Sequence, residues 1–95
     1  MTYLKELGFE DNIIELINKN FPAQAIETLT TEESTVTQNI NYLKDLGISN
    51  YVDAFVKFYN MFLLDTDTFD NIFSKYDKED LVVKLEKNIA IMEYL

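Results

Sequence analysis

Tyr3-Leu4-Lys5-Glu6-Leu7-Gly8-Phe9 returns thirty-nine positions later as Tyr42-Leu43-Lys44-Asp45-Leu46-Gly47-Ile48, with only conservative exchanges. The two glycines in this pair are the only two in the chain, and each directly follows a leucine. A helix that ends on leucine and then glycine matches the left-handed stop, which glycine adopts without a Cβ penalty. The pair therefore predicts two helix ends of one design, with Leu7 and Leu46 in equivalent buried positions and a positive φ at Gly8 and Gly47.

Reading outward from these turns, apolar residues recur at three- and four-residue spacing, and strand-like alternation is nowhere sustained. A short helix is expected from a Thr2 cap to Leu7. A second covers Asp11 to Asn20, with Ile13, Ile14, Leu16 and Ile17 as its buried stripe and Pro22 forcing the break. Pro22 then suits the first turn of a third helix, Ala23 to Leu29. Thr30 or Thr31 caps a fourth, with Glu33 in capping-box spacing from Thr30 and Val36, Ile40 and Leu43 along its stripe. Ser49 opens a fifth through Tyr51, Phe55, Phe58 and Phe62, interrupted at Asp65-Thr66-Asp67. A short helix from Thr68 to Tyr76 follows. Asp77 caps the last one, which carries Leu81, Leu85, Ile89 and Met92 on one stripe to Leu95. The expected fold is all-α, with six or seven helices in a single domain over residues 1–95. It is either a short solenoid-like array with copies at about 3–41 and 42–88 or a compact orthogonal bundle.

The pattern Pro22, Leu29-Thr30-Thr31-Glu32, then Asn39-Ile40-Asn41-Tyr42-Leu43-Lys44-Asp45-Leu46-Gly47-Ile48-Ser49 resembles the repeat of the mitochondrial transcription termination factor family. The resemblance implies units of about three helices stacked into a curved solenoid that binds nucleic acid. In the second copy Met61 stands where Pro22 would align, and the basic inner face of that family has no counterpart here. The resemblance therefore bears on architecture and not on activity. A shorter stretch, Leu43 to Phe55, looks like the opening of a sterile alpha motif domain, a helical protein-interaction module.

Composition narrows the function. Seventeen acidic residues against eight lysines give a net charge of −9, and there is no arginine, histidine or cysteine. Such a charge repels nucleic-acid phosphate and anionic lipid, and the guanidinium fork that reads phosphate and guanine is missing. Without histidine or cysteine, the commonest general base, nucleophile and transition-metal ligands are unavailable to the chain, and there is no disulfide to require an oxidising compartment. No secretory leader and no apolar run of membrane-spanning length is present in the sequence, so a cytoplasmic setting is expected. Asp65-Thr66-Asp67-Thr68-Phe69-Asp70 begins like a calcium loop, but its sixth position is Asp70 where glycine is needed and its twelfth is Tyr76 where glutamate is needed. Helix capping accounts for it, so no metal or cofactor is expected.

Binding without catalysis is the resulting expectation. Thirteen residues are Phe or Tyr, and Tyr51, Phe55, Phe58, Tyr59 and Phe62 span more than one face of a single helix, so some of them are expected to meet a partner. The half-unit at each end of the repeat adds Ile89 and Met92 to that set. Either the last helix folds back onto the first helices, or it packs against a second copy in a homodimer, which would also use the extra aromatics. The leading expectation is a small acidic module that binds a protein partner. The alternatives are an acidic inhibitor, immunity protein or nucleic-acid mimic directed at a basic partner, and a nucleic-acid-binding helical repeat protein.

Overall fold

The computed structural model describes residues 1–95, and every regular element in it is helical. The elements are α1 (Tyr3–Glu6), α2 (Asp11–Asn20), α3 (Ala23–Thr31), α4 (Glu33–Leu46), α5 (Tyr51–Phe58), a first 3-10 helix (Tyr59–Leu63), α6 (Thr66–Ser74), α7 (Lys78–Lys87) and a second 3-10 helix (Ile89–Tyr94). No helix is long and apolar enough to cross a membrane.

Both glycines adopt the left-handed conformation, with φ of +102° at Gly8 and +98° at Gly47. Their hydrogen bonds also match. The Gly8 N–H donates to the Lys5 carbonyl and Phe9 N–H to that of Leu4, while Gly47 donates to Lys44 and Ile48 to Leu43, all at 3.1–3.2 Å. Leu4, Phe9, Leu43 and Ile48 are all buried by these turns. Leu7 is buried, but Leu46 is only half-buried, so the expected equivalence holds for the backbone and fails for this side chain. Beyond the turns a helix follows in both copies, α2 and α5, but their side chains are buried differently. At the same offset, Leu16 of α2 is 43% exposed whereas Phe55 of α5 is fully buried.

Of the two expected architectures, the chain adopts the compact one. Its radius of gyration is 12.9 Å, close to the roughly 12–13 Å of a packed chain of this length. Nineteen apolar residues form one continuous core. At its centre runs α4, which buries Val36, Asn39, Ile40 and Leu43 at helical spacing and lies against α3, α5, α6 and the first 3-10 helix. A chain of aromatic rings crosses the core from Phe9 through Phe55, Phe62 and Phe69 to Phe73, with successive centroids 4.9–5.4 Å apart. These are edge-on or tilted contacts, which suit the ring quadrupoles. Asn39 is the one buried polar residue; its amide donates to the Phe62 and Leu64 carbonyls, both at 2.9 Å, and so closes the end of the first 3-10 helix.

Several boundaries differ from the sequence expectation for local reasons. Thr30 and Thr31 lie inside α3, where their hydroxyls donate to the Ile26 and Glu27 carbonyls one turn back, so the kink into α4 falls at Glu32. Ser49 precedes α5 without capping it. Its N–H and hydroxyl both donate to the Glu86 carboxylate at 2.6 Å, tying this turn to the end of α7. Asp65 is a cap, as expected, and accepts from the Thr68 N–H at 2.7 Å, although the helix it starts begins two residues earlier, at Thr66. The final helix stops at Lys87. Asn88 is extended, its side chain accepts from the Ala90 N–H, and the chain restarts as the second 3-10 helix.

Candidate interaction surface

The seven residues expected to bind a partner divide sharply by burial. Phe55 and Phe62 are links in the aromatic chain and have no exposed surface. Ile89 and Met92 are buried by their own chain, because the second 3-10 helix folds back against α5 and α7. The last segment thus folds back within its own chain, but onto α5 and α7 and not onto the first helices as expected, and a dimer built on Ile89 and Met92 has no surface left to use. Phe58 is half-buried against the core. Tyr51 is half-buried as well, and its hydroxyl donates to the Leu7 carbonyl at 3.0 Å while the Lys44 ammonium sits 5.3 Å from its ring centroid. Tyr59 packs at a tilt against Phe21, with ring centroids 4.5 Å apart, and borders a groove with Pro22, Thr28 and Leu63.

The aromatic side chains that do reach the surface lie elsewhere. Tyr76 is 39% exposed and Tyr94 is 81% exposed. Tyr76 forms the ridge between two adjoining grooves. The larger, about 310 Å³, runs between the end of α4 and the end of α6 and is lined by Tyr42, Leu46 and Phe73, with Asp45, Ser74 and Lys78 as its polar groups. The smaller, about 230 Å³, lies between α7 and the second 3-10 helix and is lined by Leu81, Ile91 and Tyr94, with Asp77, Asp80 and Lys84 at its edge. Tyr42 joins the larger groove to the core, because its ring lies 6.0 Å from both Phe69 and Phe73. Burial and the Asp70 carboxylate beside its hydroxyl push the Tyr42 phenol up to about 12, so it stays neutral and a donor.

The charge excess belongs to the chain as a whole, seventeen acidic residues against eight lysines, whereas the two grooves are lined by Asp45, Asp77 and Asp80 together with Lys78 and Lys84. Only three ion pairs form, all exposed: Lys5 with Asp11, Lys19 with Glu15 and Lys84 with Asp80. Fourteen of the seventeen acidic side chains therefore have no lysine partner. No group of acidic side chains is gathered closely enough to hold a metal ion.

Periodicity could not separate Tyr76 from the core aromatics, because it stands three residues after the buried Phe73, at helical spacing. The stripe does not carry through to it, since α6 ends at Ser74. Tyr94 stands two residues after Met92, off the buried stripe, and that offset was the usable signal. No protein-family model matches the chain, and no curated protein or solved structure matches it.

Proposed function

We propose that this protein is a helical interaction module that binds a basic protein partner across the two grooves that meet at Tyr76. The observation that carries this reading is an exposed tyrosine ridge between two apolar-lined grooves on a chain of net charge −9. Exposed aromatics beside a groove supply contact area at low entropy cost, and the net negative charge of the whole chain steers a cationic partner and sets the salt dependence of its capture. A nucleic-acid ligand would meet the same field as repulsion. The alternative of an acidic inhibitor is a special case of this reading, in which the basic partner is an enzyme or toxin whose positive surface the module blocks.

The test is quantitative capture from the native host on immobilised wild-type protein and on a Tyr76→Ser, Tyr94→Ser double variant. The expected outcome is a partner of high isoelectric point that is retained by wild type, lost from the variant and released as salt rises. Equal retention by the two proteins would overturn the assignment of the surface.

A further inference from the structure

The larger groove has the constituents of a cation-binding cage. Three aromatic rings, Tyr42, Phe73 and Tyr76, line it together with the Asp45 carboxylate. Its volume of about 310 Å³ exceeds that of an alkylammonium or guanidinium head group and falls at the small end of ligand sites. Aromatic faces attract organic cations through their quadrupole, most strongly where water is partly excluded. The molecule already shows that Tyr76 does this: the Lys75 ammonium, which is not part of the groove lining, lies 5.5 Å from the Tyr76 ring centroid. Tyr42 is further suited because the Asp70 carboxylate, outside the groove lining, acts on its hydroxyl and adds negative potential at that end of the ring. Two lysines oppose these: Lys78 lines the groove, and Lys75 lies over the Tyr76 ring and must give up that contact where an incoming cation takes the same face.

We infer that the groove bounded by Tyr42, Phe73, Tyr76 and Asp45 accepts the cationic side chain of the partner, an alkylated or free lysine or an arginine, as the anchor of the interaction. The inference rests on the reading of the chain as an interaction module and gives that reading its chemistry. Tyr42 and Tyr76 supply the accessible rings, the almost fully buried Phe73 packs behind Tyr42, and Asp45 supplies the counter-charge. Lys78 sets a threshold, since it must turn outward for a cation to enter and so weakens binding of any ligand that brings only charge.

The experiment is an NMR titration of the full chain with short blocked peptides that differ only at the central residue: trimethyl-lysine, lysine, arginine, and the neutral carbon isostere of trimethyl-lysine. The expected result is a saturable shift of the Tyr42, Phe73 and Tyr76 ring signals by at least one cationic peptide, about tenfold tighter than the isostere, with the tightest cation identifying the side chain. Tyr76→Ala and Asp45→Asn, both at exposed positions, should each weaken binding several-fold, and Lys78→Gln should strengthen it. Equal binding of the isostere would overturn the inference, because the groove would then be merely apolar. Shifts confined to other surfaces, or no shift at millimolar peptide, would overturn it too. Partner capture that persists in Asp45→Asn would sink the cage while leaving the interaction module standing, whereas peptide binding without any captured partner would do the reverse.

Discussion

The turn at Leu4–Phe9 and the turn at Leu43–Ile48 are the same piece of backbone in different surroundings. Each ends a helix on a left-handed glycine, and each makes the same pair of hydrogen bonds. Yet the first is covered by the second half of the chain: Lys44 and Tyr51 both donate to the Leu7 carbonyl, at 3.1 and 3.0 Å. The second turn has no such cover over Leu46, and the larger groove opens beside it. Local sequence sets the shape of a turn, whereas position in the fold sets what it touches. One copy consequently becomes interior scaffold and the other borders the candidate binding surface.

The strongest way to break this comparison lies just past the turns. Leu16 and Phe55 hold the same place in the sequence repeat, but one is 43% exposed and the other sits within the aromatic chain. Phe55→Ala should destabilise by about 3–5 kcal/mol, whereas Leu16→Ala should cost under about 0.5 kcal/mol. Similar denaturation midpoints for the two variants would mean that the helices after the turns pack alike after all.

Next come the glycines. Alanine at either one must hold a positive φ, at about 1 kcal/mol. At Gly47 the added Cβ would meet open space, while at Gly8 it would collide with the Tyr51 hydroxyl. Gly47→Ala should therefore cost about 1 kcal/mol, and Gly8→Ala about 2–3 kcal/mol through overpacking. Tyr51→Phe sharpens this result. Alone it should cost about 1 kcal/mol for the lost hydrogen bond, but in the Gly8→Ala background it should cost less or even stabilise, because it also removes the clash. An additive double-mutant cycle would show that Tyr51 does not cover the first turn.

The smallest expected effect lies in the residue two places beyond each glycine. Ser49 is tied to the Glu86 carboxylate, whereas Glu10, its counterpart after the first turn, makes no capping bond. The Ser49 hydroxyl and N–H hold the Glu86 carboxyl below its usual value. Because the folded value is the lower one, this contact contributes stability above the ordinary glutamate range and loses it as pH falls through the folded value. A Glu86→Gln variant should melt slightly below wild type at about pH 7, with the gap closing by about pH 3. A gap unchanged over that interval would mean that the carboxylate charge is not what Ser49 binds.

Much of the fold could be read from local chemistry. The span of α2 was set by helical periodicity and Pro22, and the stop of α4 by Gly47. The interruption before α6 was signalled by Asp65, whose short side chain reaches the N–H three residues on. The stripe Leu81, Leu85, Ile89 and Met92 was correct in being buried, even though the helix expected to carry it breaks at Asn88. That break had no glycine or proline to announce it. An asparagine side chain that bonds the backbone two residues on can end a helix, but the same residue at position 39 sits inside one and bonds across the core. The candidate site was less legible. Four of the seven expected binding residues, Phe55, Phe62, Ile89 and Met92, are buried. A surplus of aromatics on one helix does not reveal how many neighbours surround that helix, and the fold-back of residues 89–94 supplied them.

By itself the sequence determined the all-helical class, the conformation of both glycine turns and the anionic character of the surface. Each of these follows from residues within a few positions of one another or from composition alone. Only the tertiary structure decided which aromatics form the core chain and which stand out as Tyr76 and Tyr94. The same holds for the Lys44 and Tyr51 cover on the first turn and for the groove beside the second. These features depend on contacts between residues far apart in the chain. Whether a side chain is buried is fixed by what the rest of the chain places over it, and periodicity within its own helix carries no record of that.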